Sequence, residues 1–231
     1  MVAPQAGGET GPRLALSALR MVTPNVGWAT GWTIDRTTGG VLRTTDGGAQ
    51  WQRVTPPAVD PTLIETTFFL DDAHAWLIAS PANSGQGEPP GDRVLRTVDG
   101  GQTWQRSAAL PLTSGGPGWL DFIDAEHGWL LANLGASAGS MSVAVFRTVD
   151  GGLTWQQQSI TTGNSSLSSP SGIPYPCNKT GISFADGKTG WVTGHCSTGG
   201  VFFFVTHDAG RTWQRQALTP PADAPANLFA D

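Results

Sequence analysis

The chain has 231 residues, a formal net charge of −5, only 13% charged residues, and 31 glycines and 17 prolines. That length can bury a sizeable core, as one large all-β domain or two small ones, and the Gly/Pro content favours short elements joined by many turns over long surface helices. Its eleven Arg and two Lys are scattered singly, so no basic stripe exists to displace phosphate counterions, and nucleic acid is not an expected partner. The longest apolar run, Val201 to Val205, has the length of a strand and falls far short of the roughly 20 residues of a membrane-spanning helix.

Residues 1–12 (MVAPQAGGETGP) are small, polar and Gly/Pro-rich and read as a flexible tail without the basic start or apolar stretch of a signal peptide. From there the chain repeats. Thr44-Thr-Asp-Gly-Gly-Ala-Gln-Trp51, Thr97-Val-Asp-Gly-Gly-Gln-Thr-Trp104, Thr148-Val-Asp-Gly-Gly-Leu-Thr-Trp155 and Thr206-His-Asp-Ala-Gly-Arg-Thr-Trp213 align without gaps. Their aspartates, Asp46, Asp99, Asp150 and Asp208, recur at intervals of 53, 51 and 58 residues, the period of a unit of about four strands. A second tryptophan recurs as Trp28, Trp76, Trp129 and Trp191, so eight of the ten tryptophans occupy two repeat positions.

Within a unit the pattern reads as strands a to d. The last unit shows it most clearly, with a over Thr180–Phe184, a turn at Asp186-Gly187, b over Gly190–Gly194, c over Val201–Thr206, and d beginning at Thr212-Trp213. The a strands of the other units fall near 15–22, 63–70 and 119–123. Periodic aromatics in four-stranded units indicate an all-β fold of four-stranded antiparallel blades, a β-propeller, with units at 13–57, 62–110, 117–160 and 177–217 inside a propeller region spanning 13–225. Residues 226–231 resemble the end of a strand a and read as the first strand of a further blade, which makes a partial or open propeller the expectation.

The eight-residue segments resemble the Asp-box (BNR) motif, Ser/Thr-x-Asp-x-Gly-x-Thr-Trp; the first departs from it by carrying Gln50 in place of Thr. The longer pattern, Gly-Trp on strand b followed by Leu-Arg-Thr-x-Asp-Gly-Gly-x-Thr-Trp across c and d, is similar to the photosystem II assembly and stability factor family of propellers. Sialidases and sortilin-type receptors share the shorter box. The resemblance implies a c–d turn in which Asp46, Asp99, Asp150 and Asp208 accept hydrogen bonds from their own loop while Trp51, Trp104, Trp155 and Trp213 pack on a neighbouring sheet. One carboxylate per blade gives widely separated groups that cannot form an acid/base pair. Arg43, Arg96 and Arg147, which precede three of the boxes, read as packing residues for the same reason of repetition.

Up-and-down blades place the a–b and c–d turns at one end and the b–c and d–a loops at the other. The turns are short and alike, whereas the loops vary, from 195–200 to 80–92 and 161–176, and variable loops on a rigid scaffold are where binding is sought. Non-repeating residues at the loop end are therefore the binding candidates: Trp32, Asp35, Arg36, Asp92, Arg93, Trp119, Tyr175 and Lys179.

Cys177 and Cys196 are symmetric about the Asp186-Gly187 turn, which sets them opposite each other in a simple hairpin. A disulfide there would indicate an oxidising, extracytoplasmic or secreted location; two buried free thiols are the alternative. Catalytic signals are thin. A sialidase-type glycosidase needs an arginine cluster and a Tyr nucleophile, and Tyr175 is the one Tyr, in a Pro-rich loop. His74 and His127 occupy equivalent turn positions and read as structural, and no metal, cofactor or nucleophile–base set is indicated. The leading reading is a non-catalytic scaffold for a protein partner, with an assembly or stability role implied by resemblance, carbohydrate as the second ligand class, and self-association as a way to complete the propeller. The alternative is an Asp-box glycoside hydrolase.

Overall fold

The computed structural model describes residues 14–33, 38–57, 59–79, 93–110, 116–163, 172–196, 201–219 and 223. Among these, consecutive strands form four antiparallel four-stranded sheets. Blade 1 comprises β1 (Leu14–Met21), β2 (Gly27–Thr33), β3 (Gly39–Thr44) and β4 (Gln52–Arg53); blade 2 comprises β5 (Ile64–Phe69), β6 (Ala75–Ala79), β7 (Arg93–Thr97) and β8 (Gln105–Arg106). Blade 3 comprises β9 (Gly116–Phe122), β10 (Gly128–Ser137), β11 (Ser140–Thr148) and β12 (Gln156–Thr161), and blade 4 comprises β13 (Asn178–Phe184), β14 (Gly190–His195), β15 (Val201–Thr206) and β16 (Gln214–Arg215). The protein is an all-β propeller of four-stranded blades, and a single 3-10 turn, Pro61–Leu63, is the helical element among the described residues. None of those residues forms a helix long and apolar enough to cross a membrane.

The tail at 1–12 and the strand expected at 226–231 lie outside the described residues. Strand d of blade 4 starts at Gln214, one residue after Trp213, because that tryptophan ends the turn and buries its ring instead of joining the ladder. The a strands carry an irregularity that the repeat pattern does not reveal. Register shifts fall between Leu16 and Ala18, Ile64 and Thr66, and Lys179 and Gly181, and a matching one in blade 3 falls opposite Leu131 and Asn133. Such bulges bend a strand and redirect a side chain.

Adjacent blades are joined by three hydrophobic clusters, one for each of the pairs 1–2, 2–3 and 3–4. At the heart of each lies the strand b tryptophan. Trp28, Trp76 and Trp129 are fully buried and stack on Phe69, Phe122 and Phe184 of the following blade, with ring centroids 5.6, 3.7 and 3.7 Å apart. Their indole N–H groups donate to the carbonyls of Asp71, Gly151 and Ala209 at 2.8, 2.7 and 3.1 Å, so the polar edge of each buried ring is satisfied. The repeated arginines complete these joints. Arg43 and Arg147 lie over the Trp28 and Trp129 rings, and Arg43 and Arg96 donate to the carbonyls of Asp72 and Asp150.

Candidate functional site

The four c–d turns share one hydrogen-bond pattern. In blade 2 the buried Thr97 hydroxyl donates to Asp99 Oδ1 at 2.8 Å and accepts from the Gly101 N–H at 2.8 Å. Asp99 also accepts from the Thr103 N–H at 2.9 Å and the Thr103 hydroxyl at 2.6 Å. Those last two bonds lead the causes that hold its carboxyl at a pKa of about 2. Thr154 and Thr212 repeat the hydroxyl bond to Asp150 and Asp208, where burial pushes the carboxyl up but the hydrogen bonds outweigh it. In blade 1 the Gln50 N–H still donates to Asp46 at 2.9 Å, and no corresponding side-chain bond accompanies it. The residue after the aspartate adopts a left-handed conformation, φ 74° at Gly100 and 69° at Gly151, and Ala209 accepts the same geometry at φ 65°. These carboxylates are saturated by their own turns and face no common space.

Of the loop-end candidates, Asp35, Arg36 and Asp92 lie outside the described residues. The others have separate surroundings. Arg93 donates to the Ser107 carbonyl at 3.3 Å within its own blade. Trp119 is half-buried against the cluster between blades 3 and 4. The Tyr175 backbone carbonyl accepts from the Met141 N–H, which pins the d–a segment to β11.

Lys179 does not present its charge to a ligand. It is 1% exposed, and its ammonium donates to the carbonyls of Met141, Tyr175, Cys177 and Pro176 at 2.8, 2.9, 3.0 and 3.3 Å while lying 5.1 Å from the Phe202 ring centre. Burial pulls its pKa down to about 7. The carbonyls take the place of water around the charged form. Lys179 is therefore corrected from a binding candidate to a clamp on the segment entering blade 4. Cys177 and Cys196 are joined by a disulfide next to it, their Cα atoms 4.3 Å apart.

Trp32 has different company. It lines an open cleft of about 270 Å³ at the inner edge of blades 1 and 2, together with Ser17, Ala18, Thr30, Ile64, Glu65, Thr66 and Thr67. The cleft exists because β5, β9 and β13 run close together whereas β1 and β5 stand further apart. The Trp32 indole N–H donates to the Pro61 carbonyl at 2.8 Å, which fixes the half-buried ring as a wall. Ser17, the extra residue of the β1 bulge, shares a 2.8 Å hydroxyl–hydroxyl bond with Thr30. Glu65 is the corresponding extra residue of β5 and supplies the one carboxylate among the lining residues.

Sequence reasoning selected Trp32 and missed the strand residues around it. The signal for them was weak: Thr30 is polar where blades 2 and 3 carry Ile78 and Leu131, but blade 4 carries Thr193 at the same position. The bulges at Ser17 and Glu65 carry no such mark. No group of three or more His, Cys, Asp or Glu residues suited to a metal ion occurs among the described residues. His74 and His127 each bond through Nδ1 to the aspartate three residues earlier, Asp71 and Asp124.

No family model and no curated protein matches the chain. Among solved structures it is similar to YCF48 from Cyanidioschyzon merolae, at 22% identity and a TM-score of 0.56, covering 90% of this chain and 57% of that one. It is also similar to the GH74 xyloglucanase from Xanthomonas campestris, at 19% identity and a TM-score of 0.50, covering 90% of this chain and 32% of that one. A structure of YCF48 bound to D1 peptide aligns at 17% identity and a TM-score of 0.45, covering 87% of this chain and 80% of that one. The chain thus spans little more than half the length of the YCF48 chain from Cyanidioschyzon merolae, and the likenesses show the propeller fold.

Proposed function

We propose that the chain is a non-catalytic propeller scaffold that holds a segment of a protein partner in the cleft between blades 1 and 2, as an assembly or stability factor would. The observation that carries this reading is the cleft itself: an immobilised indole, Trp32, beside hydroxyls from Ser17, Thr30, Thr66 and Thr67 and the Glu65 carboxylate. Its volume of about 270 Å³ lies just below the roughly 300–1,000 Å³ typical of whole small-molecule sites and suits one or two side chains of a larger partner. Tryptophan is enriched where such partners bind. Two-carboxylate glycoside hydrolysis needs a second acid within roughly 5–10 Å of the first, and the described lining offers Glu65 alone.

The Cys177–Cys196 disulfide supports an extracytoplasmic location, since such bonds persist in oxidising compartments. A thiol titration of the unreduced protein from its native host that finds two free cysteines would overturn that part. For the binding role, peptides selected by display on the wild-type chain should lose at least about tenfold in affinity with Trp32→Ala, roughly the loss of one well-placed contact. Unchanged affinity in that variant, or turnover of chromogenic glycosides by the purified chain, would sink the reading.

A further inference from the structure

The three interfaces between blades have a giving side and a receiving side. On the giving side, strands b and c present Trp28 with Val41, Trp76 with Val94, and Trp129 with Val145, each at most 1% exposed. On the receiving side, the last residue of strand a takes the indole: Phe69, paired with Ala75, Phe122, paired with Gly128, and Phe184, paired with Gly190. The receiving blade also returns a box tryptophan, as when the Trp104 indole donates to the Val54 carbonyl of blade 1 at 2.8 Å.

Blade 4 carries the giving side, and no described residue of another blade packs against it. Trp191 and Phe203 stand in the register positions of the buried Trp/Val pairs, yet both are half-buried, and Thr193 beside them is exposed. Among the described residues, the Trp191 indole N–H reaches Gln216 Oε1 of its own blade, at a long 3.4 Å. Blade 1 carries the receiving side, likewise without a described residue of another blade on its apolar row. Met21 pairs with Gly27 as Phe122 pairs with Gly128, and it forms with Leu16 and Leu19 an apolar row that is 41, 51 and 57% exposed. The register places all three on one face, because each is paired to a residue of the same β2 parity, Gly27, Ala29 or Gly31.

We propose that these two faces bind each other between two copies of this chain, blade 4 of one copy docking head to tail on blade 1 of the second. Each face is the missing half of the other in the register that the three internal joints already use. Trp191 meets Met21 of the second copy, an aromatic on a thioether, which is a favourable contact and a compliant substitute for Phe. Its N–H is carried toward the Gly47 carbonyl, at the turn position of Gly151 and Ala209, the acceptors for Trp76 and Trp129. The joint lacks the arginine of the others, since Val205 stands opposite Trp191 where Arg43, Arg96 and Arg147 stand opposite theirs. It is thus apolar and weaker than an internal joint. Because the surfaces differ, the contact is heterologous, and two four-blade arcs closing on each other satisfy both faces of each copy.

Sedimentation equilibrium of the full chain across the micromolar range should give the mass of two chains. Trp191→Glu and Met21→Glu should each raise the dissociation constant by at least about 30-fold, the loss of one central contact. Within one copy Trp191 is half-buried and Met21 is 41% exposed, so the melting temperature of the separated chain should fall by no more than about 4 °C. Mixing the two variants should restore association, because one intact giving face then meets one intact receiving face. A single-chain mass at every concentration overturns the proposal, and so does a wild-type dimer that neither charge disturbs or a mixture that fails to associate.

Discussion

At the turn end of the blades the same residue types make the same kind of contact from joint to joint, whereas the loop-end contacts among the described residues occur once. The turn end is held by Trp28, Trp76 and Trp129 on the next blade's aromatic ring and by carboxylates bonded within their own eight-residue segments. The loop end is held by the Lys179 clamp, the Cys177–Cys196 disulfide and the Trp32–Pro61 bond, none with a counterpart in another described blade. The difference teaches where specificity can reside. Contacts that every blade must make cannot differ from blade to blade, while singular contacts can shape one cleft in one place.

That contrast can be broken by substitution. Trp76→Ala removes a fully buried ring stacked on Phe122 and should lower stability by about 3–5 kcal/mol in denaturant unfolding. The same change at the half-buried Trp191 of the separated chain should cost about 1 kcal/mol or less, and equal losses at the two would refute the distinction between filled and open joints. At the loop end, Lys179→Met removes the ammonium from the carbonyls of Met141, Pro176 and Cys177, and leaves Tyr175 with the Met141 N–H alone; it should cost about 2 kcal/mol, read as a drop in the denaturant midpoint.

Acid should act on the turn end. Asp46, Asp99, Asp150 and Asp208 all have lowered carboxyl pKa values, so their contribution is present above the unfolded value of about 3.9 and is lost as pH falls through the folded values, about 2 for Asp99. The melting temperature should therefore fall between roughly pH 4 and pH 2, and Asp99→Asn should make that fall shallower. The smallest effect sharpens the comparison among the boxes themselves. Gln50→Thr supplies the hydroxyl that Thr103 gives Asp99 and should raise the denaturant midpoint slightly in the same unfolding assay.

The sequence made the turn end legible because its hydrogen bonds join residues two to four apart, and such bonds require the same residue types at the same spacing in every copy. Thr97, Asp99 and Thr103 can be read as one unit without knowing where blade 1 lies. The loop end was legible only in outline. Trp32 could be nominated because it breaks the repeat, but its neighbours in the cleft are ordinary strand residues whose proximity depends on how far β1 stands from β5. Lys179 was misjudged for a related reason. A lone lysine near a variable loop reads as exposed, and its burial follows from carbonyls supplied by β11 and the 175–177 segment converging on it.

By itself, then, the sequence determined the blade: its period, its strand order, and the tryptophan and aspartate on which each copy turns, all of them short-range consequences of spacing and side-chain chemistry. Tertiary structure alone decided which faces are covered. Identical positions became core in Trp28, Trp76 and Trp129 and only half-buried in Trp191, because burial is a property of the neighbouring blade and no residue carries it alone.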